Sequence, residues 1–400
     1  MKEPKLRFKE ENGMQFPDWE KSKFSDVFDN INNSTFSRDC LNYVDGNVKY
    51  IHYGDILTTF DSMVNVEASD VPYVNKDIDC QKYQLLADGD IIVADTAEDD
   101  TVGKAVEIVS ASNVKVISGL HTIACRPKLK FTSRYLGYYM NSNSYHNQLR
   151  PYMQGVKVTS ISKANIALTN VSIPSLPEQQ KIASLFSEID TLIQSAEKEL
   201  EGYRELKQGM LQRMFPKQGE LVPEIRFPEF TDDWEEHELS EMFNYEQPSK
   251  YIVKNDDYEG CSKYPVLTAN KGFILGYTDE TEGIYDKGEV IIFDDFTCDH
   301  KFVNFPFKVK SSAIKFLTPK NNYNLSFLSE LLSVMNQQPL SHQRHWISVM
   351  QPSIALIPSL EEQKKIGEYF SNLDNLIALQ QKELDGYKEL KKGLLQQMFC

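Results

Sequence analysis

Two copies of one long stretch organise this sequence, and the first, at residues 173–215, reads IPSLPEQQKIASLFSEIDTLIQSAEKELEGYRELKQGMLQRMF. A shift of 184 positions aligns it without a gap on residues 357–399, which read IPSLEEQKKIGEYFSNLDNLIALQQKELDGYKELKKGLLQQMF, and 26 of the 43 positions are identical. A repeat of this length determines the architecture of the whole chain. The alternative, two unrelated surface helices, does not account for this identity.

Each copy has the features of a long helix. Pro174 and Pro358 end the preceding segment, and Glu178 and Glu362 follow where the first turn of a helix favours acidic side chains. Apolar residues then recur at heptad spacing with charged residues between them, which predicts a coiled coil about 58 Å long. The predicted helix interface consists of Ile182, Phe186, Ile189, Ile193, Leu200, Tyr203, Ile366, Phe370, Leu373, Ile377, Leu384 and Tyr387.

A lysine interrupts the heptad pattern at the same place in both copies, at Lys207 and Lys391. We call the apolar line of contact between the two helices the seam, and we predict that the neighbouring Leu206 and Leu390 cover it at this position. The two helices should pair antiparallel, because the second must return the chain towards its start, and the molecule would then have a pseudo-two-fold internal repeat.

A shorter repeat opens each half of the chain. PKLRF at residues 4–8, followed by Trp19, matches PEIRF at residues 223–227, followed by Trp234. The segments between these motifs and the helices barely resemble each other, and both mix β-rich runs with helical stretches, so the predicted fold class is α+β. The predicted divisions are an N-terminal motif at 1–19, a first recognition domain at 20–172, a first repeated helix at 173–215, a connector with the second motif at 216–234, a second recognition domain at 235–356, and a second repeated helix at 357–400.

The formal net charge of −15 at first argues against a nucleic-acid partner. The charge is unevenly distributed, however: residues 1–100 carry −11 and residues 101–172 carry +8, while residues 239–300 carry −8 and residues 301–355 carry +5. Local potential attracts phosphate, so we predict DNA contacts in the two basic segments, unless these segments merely neutralise their acidic neighbours. The candidates are Lys104, Lys115, Arg126, Lys128, Lys130, Arg134, Arg150, Gln154 and Lys157 in the first segment, and Lys301, Lys308, Lys310, Lys315 and Arg344 in the second.

Several kinds of chemistry lack their sequence signatures. The chain has no GxxxxGK[ST] loop, no GxGxxG between a strand and a helix, and no Pro-Pro pair for an amino-group DNA methyltransferase. His342 and His345 lie three positions apart without a matching second pair, so no metal is expected, and no other cofactor is. The six cysteines form no CxxC pattern, no stretch is apolar enough for a membrane span, and the charged N-terminus does not read as a signal peptide, so we expect a cytoplasmic protein.

The repeated helical stretches resemble the specificity subunit of type I restriction-modification systems. The similarity rests on IPSLPEQQKI and IPSLEEQKKI at 184-residue spacing, together with the short PxxRF…W motif before each variable segment, and it covers essentially the whole chain. It implies a non-catalytic subunit that reads a two-part double-stranded DNA target with one half-site per recognition domain. It also implies two copies of a methyltransferase subunit and ATP-dependent restriction subunits as partners. The variable segments are too divergent for a base-contacting residue to be transferred.

Two other functions remain open from the sequence: a self-sufficient nuclease or methyltransferase with an unrecognised site, and a coiled-coil scaffold that binds proteins only. If the resemblance holds, polar residues that both helix copies share should face the methyltransferase. We predict this role for the pairs Gln179 with Gln363, Lys181 with Lys365, and Glu205 with Glu389.

Overall fold

The structure is a computed structural model, and it describes residues 4–68, 70–155, 157–255, 263–270, 272–335 and 345–399. The chain divides into two compact units. The first comprises Met1–Ser195 and Glu383–Cys400, and the second comprises Ala196–Lys382. Each unit therefore contains one variable segment and a part of both long helices.

In the part of the first unit that the structure describes, the strands form a five-stranded sheet, a four-stranded sheet and two strand pairs. Its strands are β1 Glu20–Lys23, β2 Phe28–Ile31, β3 Leu41–Asn42, β4 Lys49–Ile51, β5 Met63–Asn65, β6 Tyr73–Val74, β7 Ile91–Ala94, β8 Thr96–Ala97, β9 Ala105–Val109, β10 Val116–Ser118, β11 Thr122–Pro127, β12 Thr159–Ser160 and β13 Asn170–Ile173. Its helices are α1 Phe24–Val27, α2 Tyr53–Thr58, α3 Tyr135–Met140, α4 Asn143–Leu149, α5 Lys163–Ala167, the first part of α6 Leu176–Arg213 and the last part of α9 Leu360–Met398.

Among its described residues, the second unit contains a four-stranded sheet, a three-stranded sheet and one strand pair. Its strands are β14 Glu235–Glu238, β15 Phe243–Glu246, β16 Tyr264–Leu267, β17 Ile274–Thr278, β18 Val290–Asp294, β19 His300–Val303, β20 Lys308–Val309, β21 Ile314–Pro319 and β22 Ile354–Ile357. Its helices are the last part of α6, α7 Leu239–Met242, α8 Leu325–Met335 and the first part of α9 Leu360–Met398.

The main sheets of the two units share one strand order although their sequences barely match. The order is β2-β11-β7-β9 in the first unit and β15-β21-β18-β19 in the second, and β5 extends the first sheet. The strands β7 and β18 are buried along their whole length. In β7, Ile91 and Val93 pack into the core that contains α3, while Ile92 and Ala94 pack into the core that contains α2. Burial on both faces explains why such strands are continuous apolar runs instead of alternating patterns.

The two long helices pair antiparallel, as predicted. In the first unit, Lys391 near the end of α9 forms an ion pair at 2.6 Å with Asp190 in the first part of α6. In the second unit, Lys207 in the last part of α6 forms an ion pair at 2.7 Å with Asp374 near the start of α9. The beginning of each helix therefore meets the end of the other, and the fold class of α+β units with an antiparallel helix pair is confirmed.

Most of the residues predicted for the helix interface are inaccessible to solvent. At most 5% of each is exposed for Ile182, Phe186, Ile189, Leu200, Ile366, Phe370, Leu373 and Leu384. Ile193, Tyr203, Ile377 and Tyr387 are half-buried.

The prediction that leucines cover the seam at the interrupting lysines is wrong. Leu206 and Leu390 are 42% and 49% exposed, whereas Lys207 and Lys391 point inward to carboxylates. Burial alone would lower the pKa of each lysine, but the acidic neighbours outweigh burial and raise it. A charged amine that is paired in this way can occupy a seam position while its alkyl stem packs on apolar surface.

The short motif of each half attaches to the start of a long helix through a buried ion pair. Arg7 binds both carboxylate oxygens of Glu178 in the first unit, at 3.0 and 2.8 Å, and Arg226 binds Glu362 in the same way at 2.7 and 2.8 Å. The indole Nε1 of Trp19 also donates to Glu178, at 3.0 Å. The arginine of each motif therefore fixes the first turn of its helix, because a bidentate arginine–carboxylate pair fixes direction as well as distance.

Two residues predicted to face a partner subunit are instead internal. Gln179 and Gln363 are 1% and 2% exposed, and each donates from its side-chain amide to the carbonyl of the proline five residues earlier. They serve as buried polar links at the two helix starts. We correct the prediction for this pair accordingly.

Candidate nucleic-acid interface

The end of the central strand β7 is the meeting point of several loops in the first unit. The backbone nitrogen of Asp95 donates to the carbonyl of His121 at 3.1 Å, and the carbonyl of Asp95 accepts from the nitrogen of Ile161 at 2.9 Å. Next to it, the pairing of β8 with β12 holds Thr96 against Ser160. The loops before β11 and around β12 are therefore fixed together at one end of the strands of this sheet.

The second unit reproduces these hydrogen bonds with different side chains. The backbone nitrogen of Asp295 donates to the carbonyl of Ala313 at 3.0 Å, and the carbonyl of Asp295 accepts from the nitrogen of His345 at 2.9 Å. Ala313 thus takes the place of the first unit's His121, and Phe296 follows Asp295 as Thr96 follows Asp95. One backbone frame presents two different sets of side chains.

In the first unit a continuous set of aromatic and polar side chains lies at this end of the strands. His121 is about half-exposed, and its Nδ1 lies 3.4 Å from the hydroxyl of Thr96 and 3.4 Å from a carboxylate oxygen of Asp95. Its ring packs edge-on against Tyr53 at 5.2 Å, and Tyr53 lies 4.6 Å from the ring of His52. The φ of His121 is 54°, in the left-handed region that non-glycine residues rarely adopt, and such strain is concentrated at functional sites.

An arginine extends the set beyond His52. Arg38 Nη2 donates to Asp55 Oδ1 at 2.5 Å, and Nη1 donates to the hydroxyl of Tyr43 at 3.2 Å. The side chain of Arg38 is 47% exposed while that of Asp55 is 9% exposed, so a buried carboxylate holds a surface guanidinium. We name the residues Arg38, Tyr43, Tyr53, Thr96 and His121 the Arg38–His121 surface.

Burial and neighbouring charges determine the charge state of the residues behind this surface. Burial, and then the charge of Arg38, lower the pKa of His52, so its ring is neutral at physiological pH and accepts a hydrogen bond from the nitrogen of Gly54 at 3.0 Å. Asp55 Oδ2 is buried without a hydrogen-bond partner among the described residues. An unsatisfied buried oxygen in a native structure calls for an explanation, and this one lies directly behind the exposed guanidinium.

Two of the basic-segment candidates lie beside the Arg38–His121 surface. Gln154 bridges to Ser160, whose partner in the β8–β12 pair is Thr96. Gln154 and Lys157 are both exposed in this loop. The structure thus brings together a polar and a basic candidate with residues from three other loops.

Other exposed candidates lie elsewhere on the same unit. Lys128 and Lys130 follow the far end of β11, about 20 Å along the strand from His121. Arg134, at the start of α3, donates to the hydroxyl of Ser187 on α6 at 3.1 Å. Lys115 lines an open cavity of about 900 Å³, and Arg150 is exposed just after α4.

Four candidates are engaged internally. Lys104 donates to the carbonyls of Leu57 and Phe60, at 3.2 and 2.7 Å, and burial lowers its pKa. Arg126 binds both oxygens of the buried Asp90. Lys308 and Lys315 are each 1% exposed, with Lys308 paired to Glu280 at 2.7 Å and Lys315 held by Gln247 at 3.2 Å. Because these nitrogens are committed within their unit, we leave all four out of the proposed DNA surface.

The remaining candidates belong to the second unit. Lys301 is exposed on the edge strand β19 and Lys310 is exposed after β20. Arg344 lies outside the described residues, as does His342. Near the end of β18, Phe296 is 42% exposed and Thr297 donates to Asn270 at 3.2 Å, so the second unit also presents mixed apolar and polar side chains there.

Within the described ranges, no group of three histidine, cysteine, aspartate or glutamate side chains is arranged to hold a metal ion. In the same part of the chain, no helix is both long and apolar enough to cross a membrane.

The family model of the type I restriction modification DNA specificity domain matches the chain twice, at residues 17–202 and 231–386. The chain belongs to the specificity subunits of type I restriction-modification systems. Like the relatives that carry this name, the specificity subunit is a DNA-recognition chain and not a catalytic one.

Two curated relatives show how the similarity is distributed. The specificity subunit is 50% identical over 117 residues to the EcoR124I/EcoR124II specificity subunit of Escherichia coli, a match that covers 28% of this chain and 29% of the relative. It is 24% identical over 408 residues to the putative MjaX specificity subunit of Methanocaldococcus jannaschii, covering 94% and 92% of the two chains.

Two solved structures share the fold. The S subunit of a type I system from M. genitalium superposes with a TM-score of 0.64 at 14% identity, and the match covers 100% of this chain and 99% of the other. A chain from a structure that addresses complex assembly and conformational transition of the type I system gives 0.53 at 16% identity, covering 95% and 97%.

The sequence alone does not identify the Arg38–His121 surface. Local charge points to the two basic segments, whereas four of the five residues of this surface lie in the acidic first hundred residues. The one local signal was the run His52-Tyr53 before a helix, which by itself is too common to indicate a site.

Proposed function

We propose that the specificity subunit reads a two-part target in double-stranded DNA, with residues 20–172 and 235–356 each reading one half-site. The observation that carries this proposal is the common frame at Asp95 and Asp295, where equal backbone hydrogen bonds support different side chains in the two units. Side chains at base edges determine sequence preference, while the frame determines where they are held. Two unlike surfaces on one frame therefore favour two unlike half-sites.

The test is an exchange of one recognition segment. Residues 20–172 are replaced by the corresponding segment of another family member, and the methylated motif is mapped in cells that supply the methyltransferase subunit. We expect one half of the motif to change while the other half and the gap between them stay the same. A motif that changed in both halves would contradict the assignment of one half-site to each segment.

We also propose that the chain binds two copies of a methyltransferase subunit, and restriction subunits in the larger complex, as its family resemblance implies. The repeat supplies equivalent surfaces twice, and equivalent surfaces bind equal partners. Leu206 and Leu390 support this step because they occupy the same repeat position and are both large, apolar and exposed. The adjacent Glu205 and Glu389 are exposed as well.

Lys181 and Lys365 contribute less to the proposed partner surface than the sequence suggested. Lys181 donates to the carbonyl of Lys9 at 2.7 Å, and Lys365 pairs with Glu229, so each links a long helix to its own N-terminal motif. We therefore centre the proposed methyltransferase surfaces on Leu206 and Leu390.

A further inference from the structure

We propose that Arg38 is a specificity-determining residue that reads a guanine in the half-site bound by the first unit, with Asp55 as its positioning residue. This inference rests on the proposed function, because it assumes that the first unit reads DNA. It assigns a base contact to a residue outside the basic segments.

The geometry of the pair favours presentation to a ligand over internal stabilisation. Arg38 uses Nη2 for Asp55 and Nη1 for Tyr43, and about half of its side chain remains exposed. In contrast, Arg126 binds Asp90 through both Nε and Nη2 and donates to the carbonyl of Leu85, so three of its N–H groups are already used within the unit. Arg38 therefore keeps donors for a partner, whereas Arg126 closes a structural ion pair.

The charge of the pair favours a base over a phosphate. Asp55 neutralises Arg38 at 2.5 Å, so the pair offers little long-range attraction to a polyanion. The major-groove edge of guanine is neutral and presents two acceptors, N7 and O6, that match an arginine fork. An arginine whose orientation is already fixed loses less side-chain entropy when it binds such an edge.

The side chains around Arg38 fit a surface that contacts the bases in a DNA groove. Tyr43 is 54% exposed, and the hydroxyl of Thr96 and the ring of His121 continue the same surface. Asp55 Oδ2 lacks a partner among the described residues, so Asp55 holds Arg38 through Oδ1 alone, and Arg38 keeps its other N–H groups for a base.

The experiment measures binding of the specificity subunit, in complex with its methyltransferase, to its mapped motif and to duplexes in which each base pair is replaced in turn. For Arg38→Ala we expect the cognate affinity to fall between about fivefold and 150-fold. The preference at one G·C pair of one half-site should disappear, while the salt dependence of binding stays unchanged. The exposed Lys115 is the control: it lies outside the Arg38–His121 surface, so Lys115→Ala should leave the preference at every base pair unchanged.

A second variant guards against misfolding of the first unit. Asp55→Asn keeps the arginine but weakens its support, and it should relax the preference at the same G·C pair only. Uniform weakening with a reduced salt slope in Arg38→Ala, or an unchanged base preference in both variants, would overturn the inference. If the unsubstituted complex shows no sequence preference at all, the proposed function fails instead.

Discussion

The lysine in the seam of the second unit allows a quantitative test of the helix pairing. Lys207 lies 3.1 Å from Glu330 of α8 and 2.7 Å from Asp374 of α9, with side chains that are 20%, 8% and 50% exposed in that order. We consider Lys207→Met, which keeps the length of the side chain and removes its charge. Asp374 can be rehydrated because it is half-exposed, but Glu330 cannot.

Loss of one partner from a buried pair typically costs 3–5 kcal/mol, because it leaves an uncompensated charge. We expect about 3 kcal/mol for Lys207→Met, the lower end of that range, since only one of the two carboxylates is deeply buried. Burial already raises the pKa of Glu330, so part of the cost is avoided when this carboxyl takes up a proton. The double variant Lys207→Met with Glu330→Met replaces the pair by apolar groups, and it should recover about 2 kcal/mol of the loss.

The measurement is urea unfolding followed by tryptophan fluorescence, because Trp234 and Trp346 are buried in the second unit while only Trp19 is in the first. Lys198→Met is the matched control, since Lys198 is exposed on the same helix, and it should change stability by less than about 0.5 kcal/mol. If the double variant were as unstable as the sum of the single variants, the lysine and the glutamate would not be coupled, and our account of the seam would be wrong.

Three further predictions follow from the structure. Burial raises the pKa of Glu107 from 4.5 to about 7, so the first unit should lose about 3 kcal/mol of stability as pH rises through that range, and Glu107→Gln should abolish this difference in urea unfolding at pH 4.5 and 8. Insertion of four residues after Lys198 adds about 6 Å and about one helical turn, so the mapped motif should keep both half-sites while its gap lengthens by about one to two base pairs. Leu206→Glu and Leu390→Glu should each remove one methyltransferase in native mass spectrometry and remove two when combined; retention of both methyltransferases would move the docking surface elsewhere.

The sequence alone determined the order of the repeated segments and the two long helices of this specificity subunit. The heptad spacing can be read within each copy of the 184-residue repeat. Helix formation with a buried apolar stripe depends mainly on such a local pattern. The antiparallel pairing followed from connectivity, since the second helix has to return along the first. The PxxRF…W motif could be recognised, but its role as the anchor of a helix start could not, because Arg7 and Glu178 are 171 residues apart.

The tertiary structure decided which side chains are available to a ligand. Lys308 and Lys315 look like DNA-binding residues in a basic segment, yet both are buried, because Glu280 and Gln247 are folded against them. Arg38 lies in an acidic segment, where the charge count gives no sign of it. It is half-exposed and is held in place by the buried carboxylate of Asp55. Exposure and pairing arise from contacts between residues distant along the chain, and neither charge counts nor periodicity contain that information.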